Sequence, residues 1–142
     1  MQTRIRWAGG MAFDVDTGSG HRLRVDGPPD LGGDNSGPRP MELLLVALGS
    51  CSAVDVVHIL RKSRADVEDC EVIVDGTRAD TDPKVFTHIH LEFVLRGQDL
   101  RDKLVERAVA LSAEKYCSAA RMLEQSCKIT HAWRLNRAPE AS

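Results

Sequence analysis

Two of the four cysteines stand where a thiol could do chemistry. Cys51 lies in PMELLLVALGSCSAVDVV, inside a long apolar run, and Cys117 lies in SAEKYCSAARML, directly after Lys115 and Tyr116. If folding brings them together, they form an attacking thiol and a resolving thiol that closes the oxidised product to a disulfide. If it does not, they are two more buried cysteines, the common fate of this residue. Cys117 opens a helical segment near Lys115 and Arg121, where unpaired backbone N–H groups and cations favour thiolate. Cys51 is ambiguous from its neighbours alone, because burial in an apolar helix leaves a thiol inert.

The remaining candidates read more simply. Cys70 shares strand parity with Val72 and Val74, and Cys127 with Ile129 and Trp133, so both are expected to pack rather than react. No C-x-x-C spacing occurs, which argues against a zinc ribbon and a thioredoxin-type motif. Asp55 and His58 follow Cys51 at i+4 and i+7 on one helix face. A rise of about 1.5 Å per residue sets His58 roughly 10 Å from Cys51, too far for a direct general base. Asp55 and His58 are therefore expected to mark the exposed end of a partly buried helix. His88, His90 and Glu92 share one strand face and are metal-ligand types. Such residues are common on a solvated sheet face, so neither a metal centre nor a metal-dependent hydrolase is expected there. The segment GPPDLGGDNSG lacks the lysine and helix context of a phosphate loop.

The elements that must position these residues follow from pattern. Thr3–Trp7, Met11–Asp16 and His21–Asp26 alternate as short strands, with Gly9-Gly10 and Gly18-Ser19-Gly20 as turns. Residues 27–40 are too rich in glycine and proline for helix or strand, and loops of this length are often functional. Pro40 starts a helix to about Arg64 that is apolar on nearly every side, the mark of a buried helix. Within it Gly49-Ser50 is expected to allow close approach or a bend. Val67–Thr77 and Val85–Arg96 read as long strands. In the second, Val85, Thr87, Ile89, Leu91, Phe93 and Leu95 share one face. Asp99 is expected to cap a second helix with a buried stripe from Leu100 to Leu111. A short helix to about Gln125, a strand over Lys128–Asn136 and a loose tail over residues 137–142 complete the chain. The order βββ-α-ββ-αα-β indicates an α+β protein, built as a single domain over residues 1–142.

Composition narrows the function classes. With 28% charged and 42% apolar residues the chain has the balance of an ordinary globular protein. Its net charge is -2 and no basic cluster tracks a phosphate backbone, so nucleic acid is not expected as a partner. The N-terminus has no continuous apolar run after its arginines, and no stretch is expected to reach membrane-span length. The expected location is cytoplasmic, where thiols are kept reduced.

Three segments together resemble one family. Pro40-x-Glu42-Leu43-Leu44-Leu45, Ala47-Leu48-Gly49-Ser50-Cys51 and Ala113-Glu114-Lys115-Tyr116-Cys117 are similar to the two separated cysteine motifs of the OsmC/Ohr redox proteins, in its OsmC-like branch. The resemblance covers nearly the whole chain. It implies a long central helix against a curved antiparallel sheet, stable as an intertwined homodimer. It also implies reduction of organic hydroperoxides without metal or other cofactor, in oxidative-stress defence. Cys51 would be the peroxidatic thiolate and Cys117 the resolving thiol, with an external dithiol as reductant. The organic-hydroperoxide-resistance branch has a glutamate where this chain has Met41. Glu42 fits the broader OsmC-like pattern. No motif fixes that branch's activating arginine among Arg4, Arg6, Arg22, Arg24 and Arg39. The alternative function is a non-catalytic dimer that binds a small apolar ligand beneath the Gly27–Pro40 loop.

Overall fold

Apolar alternation, glycine turns and one long apolar run produce six strands and three α-helices over residues 1–136, which the computed structural model describes. A short 3-10 helix at Pro29–Leu31 lies inside the loop expected to form no helix, and a π-helical turn spans Ser112–Tyr116. The tail expected over 137–142 lies outside the described residues. The strands are β1 (Thr3–Trp7), β2 (Ala12–Thr17), β3 (Arg22–Asp26), β4 (Asp69–Arg78), β5 (Phe86–Arg96) and β6 (Lys128–Leu135). The helices are α1 (Pro40–Lys62), α2 (Asp102–Leu111) and α3 (Ser118–Leu123). Their order is the expected βββ-α-ββ-αα-β, an α+β fold. By contact the chain falls into two compact units, Met1–Leu44 and Leu45 onward.

The first unit is an antiparallel meander, β1-β2-β3, with Thr3 opposite Thr17 and Ala12 opposite Asp26. Gly9, Gly10 and Gly20 turn the hairpins at positive φ, where a side chain would be strained. On one face Asp16 pairs with Arg6 and Arg22, and Asp14 with Arg24. The loop after β3 is not loose. Asp26 is only 1% exposed and accepts hydrogen bonds from the N–H groups of Gly27 (2.8 Å), Asp34 (3.1 Å) and Ser36 (3.0 Å). The Ser36 hydroxyl adds a fourth bond at 2.7 Å. These donors, Ser36 foremost, hold the Asp26 carboxyl down at about 2.

The second unit carries a separate sheet, β4-β5-β6. β4 runs antiparallel to β5, but β6 runs parallel to it, with His88 opposite Lys128. The strands thus form two three-stranded sheets, the first antiparallel as expected and the second mixed. The reason is the αα crossover between β5 and β6, which returns the chain in the same direction. Ile89, Leu91, Phe93 and Leu95 are buried as their alternation requires. The pattern reverses at Phe86 (buried) and Thr87 (exposed), because the register shifts by a bulge at Thr77/Arg78. The second helix begins at Asp102, not after Asp99. Asp99 sits at φ 54, outside helical geometry, while Leu100 turns inward and Arg101 takes the cap position.

α1 starts as read, with Pro40 first and the Glu42 carboxylate accepting the Arg39 N–H at 3.3 Å, half of a capping box. Gly49 is there for close approach. A Cβ on it would stand 2.7 Å from Val74 Cγ2 on β4. The helix is not buried on all sides, however. Leu48, Val56 and Leu60 are fully buried, whereas Val46 and Val54 are 58% and 68% exposed. By length and composition alone α1 would also cross a membrane, which corrects the expectation that no stretch reaches that length. Its buried Leu48, Ser52, Val56 and Leu60 make it a core helix of this fold.

Candidate active site

One face of α1 carries Cys51, Ser52 and Asp55, since i and i+4 fall one turn apart. Opposite them the chain makes a π-helical turn over Ser112–Tyr116, closed by Cys117 N–H donating to the Ser112 carbonyl at 2.9 Å. Such turns are frequent at functional sites because they re-aim the residue that follows. Here that residue is Cys117, the N-cap of α3, whose sulfur accepts the Ala120 N–H at 3.4 Å.

The two cysteines meet. Cys51 Sγ, Cys117 Sγ and a carboxylate oxygen of Asp55 all lie within 4.8 Å of one another. Both thiols are free, Cys51 half-buried and Cys117 3% exposed. The Ser52 hydroxyl lies 3.2 Å from Cys117 Sγ. The Ser112 hydroxyl donates to Asp55 Oδ2 at 3.2 Å and lies 3.4 Å from the Ser52 carbonyl. Asp55 also lines a cleft of about 400 Å³ with His58, Lys62, Arg107, Leu111 and Tyr116.

The electrostatics at Cys117 reverse the expectation. Burial pushes its thiol up, against the pull of the Ser52 hydroxyl and the Ala120 N–H, and neighbouring Cys51 pushes in the same direction as burial. The cations expected to favour thiolate are spent elsewhere. Lys115 Nζ sits over the Tyr116 ring at 5.3 Å, and Arg121 donates to the Glu114 carbonyl at 3.2 Å and pairs with Glu124.

The other candidates are held apart from this cluster or satisfied locally. Thr130 hydrogen-bonds both His88 Nε2 (2.8 Å) and His90 Nδ1 (2.7 Å), and Arg134 donates to Glu92 at 2.9 Å. Cys70 and Cys127 are half-buried, not core, and burial raises both thiols. Cys127 donates to the Leu123 carbonyl at 3.3 Å. Among the arginines, Arg39 donates to the Gly37 carbonyl (2.9 Å) and Asn35 (3.1 Å). Arg6, Arg22 and Arg24 belong to the ladder on the first sheet. Asp55 was the residue that sequence reasoning underrated. Its i+4 spacing from Cys51 was visible, but that Cys117 would arrive beside both was not. Ser52 and Ser112 gave no signal, being small polar residues in apolar segments.

A model of the OsmC-like protein family matches residues 33–132, a span that holds both cysteine motifs. The chain belongs to the OsmC-like family. Protein YhfA of Escherichia coli K12 is 50% identical over 133 residues, covering 94% of this chain and 96% of YhfA. The crystal structure of a hypothetical protein from Aquifex aeolicus VF5 is 34% identical, with a TM-score of 0.81 over 96% of this chain and 97% of that one. The OsmC-like fold extends further, to an organic hydroperoxide resistance protein OsmC from Legionella pneumophila. That structure has a TM-score of 0.66 at 20% identity, over 94% of this chain and 96% of that one.

Proposed function

We propose that this OsmC-like protein reduces organic hydroperoxides with Cys51 as attacking thiolate and Cys117 as resolving thiol. The observation that carries the reading is the convergence of two sulfurs, distant in sequence, within 4.8 Å. The thiolate of Cys51 attacks the O–O bond, and with one proton the hydroperoxide leaves as an alcohol while Cys51 becomes a sulfenic acid. Cys117 then attacks that sulfur, expelling water and closing a disulfide. A change of χ1 well is the size of motion needed to bring the sulfurs to bonding distance. An external dithiol supplies the two electrons that reopen the disulfide. The hydroperoxide-resistance protein of the same fold supports the substrate class. The proposed setting is the cytosol, where thiols are kept reduced.

The same reading includes a homodimer. Val46 and Val54 on α1, and Ile5 and Trp7 on β1, are large apolar side chains left exposed by the single chain. Covering such surface contributes about 25 cal/mol per Å². The expected mass in solution is therefore twice 15.6 kDa. A single-chain mass by light scattering at micromolar concentration would remove the dimer from the proposal.

The catalytic part is tested by cumene hydroperoxide consumption with a dithiol reductant. The wild-type chain should turn over, and one equivalent of peroxide without reductant should leave a Cys51–Cys117 disulfide in the wild-type chain but a Cys51 sulfenic acid in Cys117→Ser. Equal rates in wild type and Cys51→Ser would sink the reading.

A further inference from the structure

The cluster between α1 and the Ser112–Cys117 turn holds two thiols and a carboxylate, and the largest influences on the Cys117 sulfur are burial, Ser52, Ala120 and Cys51, none of them a cation. A nucleophilic cysteine is ordinarily poised by a neighbouring positive charge. Here the third group is an acid. With both thiols ionised, three negative charges would stand within 4.8 Å of one another. Thiolate sulfur and carboxylate oxygen are both donor types that zinc and its thiophilic relatives accept.

We propose that the reduced chain binds one thiophilic divalent cation of the zinc class through Cys51 Sγ, Asp55 and Cys117 Sγ. Zinc bonds of about 2.3 Å to sulfur and about 2.0–2.2 Å to oxygen set ligand atoms roughly 3.5–3.8 Å apart in a tetrahedron. The three ligand atoms lie within 4.8 Å, so each pair closes by at most about 1.3 Å, a matter of side-chain torsion. Cys51 and Asp55 share one rigid helix face, and Cys117 is fixed as a helix cap. The outer partners are in place as well. Ser112 donates to Asp55 Oδ2, which orients the carboxylate and leaves its other oxygen for the cation. Ser52 and the Ala120 N–H hydrogen-bond the Cys117 sulfur and temper its charge as a thiolate. Asp55 also lines the adjoining cleft, the side from which a water would enter as fourth ligand.

Binding displaces the two thiol protons, so affinity rises with pH. The same sulfurs would be consumed by disulfide formation, so the cation and the disulfide exclude each other. The inference concerns only the reduced thiols and does not depend on peroxide turnover.

The test titrates Cd²⁺ into the full chain, reduced with a phosphine and stripped of metal, following the thiolate-to-cadmium charge-transfer band. Zn²⁺ is then measured by competition with a chromophoric chelator. One equivalent should saturate the band, and diamide oxidation should abolish it. Cys51→Ser and Cys117→Ser should each remove tight binding, and the isosteric Asp55→Asn should weaken it by about 10–100-fold. In the wild-type chain, stoichiometric Zn²⁺ should shield Cys51 and Cys117 from alkylation and leave Cys70 and Cys127 reactive. That readout needs no variant to fold. No saturation near one equivalent, affinity in Asp55→Asn within twofold of wild type, or equal alkylation with and without Zn²⁺ would each overturn the proposal. Turnover of hydroperoxide without metal binding would leave the peroxidase reading standing and remove only this one.

Discussion

Two places in the unit that begins at Leu45 gather side chains able to ligate or move protons, and their neighbours treat them in opposite ways. On β5 and β6, the Thr130 hydroxyl lies 2.8 Å from His88 and 2.7 Å from His90, and Arg134 takes Glu92 at 2.9 Å. Each of those polar groups has a partner from the adjacent strand, set by the parallel register that puts Thr130 opposite His90. Around α1, two sulfurs and a carboxylate converge within 4.8 Å; Ser52 and the Ala120 N–H hydrogen-bond the Cys117 sulfur, and Ser112 donates to Asp55. Residue type alone favours neither place. What separates them is whether the neighbours have already spent the donor and acceptor capacity that chemistry would need.

The sharpest way to break this comparison is to disable each place in turn. Cys51→Ser is expected to lower hydroperoxide turnover by about 10³-fold or more, the scale of losing a nucleophile. The double variant His88→Ala, His90→Ala should stay within about twofold of wild type, the scatter of substitutions outside the reacting groups. A comparable loss in the histidine variant, measured under saturating dithiol, would erase the distinction.

A second test uses the raised thiol of Cys117. Burial keeps it protonated at neutral pH, and only its thiolate attacks the oxidised Cys51. The rate of disulfide formation in a single turnover should therefore climb about tenfold per pH unit from pH 7 to pH 8. A flat profile, by rapid quench and peptide mapping, would mean that another group removes that proton.

Much of the fold was legible because local signals agreed with the final packing. Pro40 at the first helical position, the alternation from Ile89 to Leu95 and the glycine turns of β1–β3 each specify their element without distant partners. The failures came where distant pairing decides. The Phe86/Thr87 reversal depends on a bulge opposite β4, and Asp99 lost its cap role to the inward turn of Leu100. At the site, both thiols were identifiable from their motifs, but their environment was not. Lys115 and Arg121 sit next to Cys117 in sequence, yet a ring, a carbonyl and Glu124 claim them in space. Exposure on α1 was likewise hidden, since an apolar helix reads the same whether its second face meets its own chain or remains open.

The first unit offers a third contrast, because its polar centre is saturated and stabilising. Asp26 is held at about 2 by Ser36, Asp34 and Gly27, and half-buried Asp16 is also held at about 2 by Arg22 and Arg6. A folded pKa below the unfolded value adds stability that is fully present above about pH 4 and is lost as pH falls toward 2. Asp26→Asn keeps the shape but removes a charged acceptor of four hydrogen bonds. It should lower the melting temperature at pH 7 and flatten the decline between pH 4 and pH 2, leaving the part due to Asp16. An unchanged acid profile by calorimetry would show that the loop does not need that carboxylate.

The smallest effect sharpens the comparison from the histidine side. Thr130→Val removes the one hydroxyl that bridges His88 and His90 while keeping the branched shape that suits β6. Both rings are half-buried, so water replaces part of what is lost, and the expected cost is about 1 kcal/mol. For a chain of this size that is a drop of about 2–4 °C in melting temperature. Hydroperoxide turnover and cadmium stoichiometry should not change, because neither uses this strand face. If instead Thr130→Val freed the two histidines to hold a second cadmium equivalent, saturation by Thr130, rather than geometry, would be what keeps this face from binding metal.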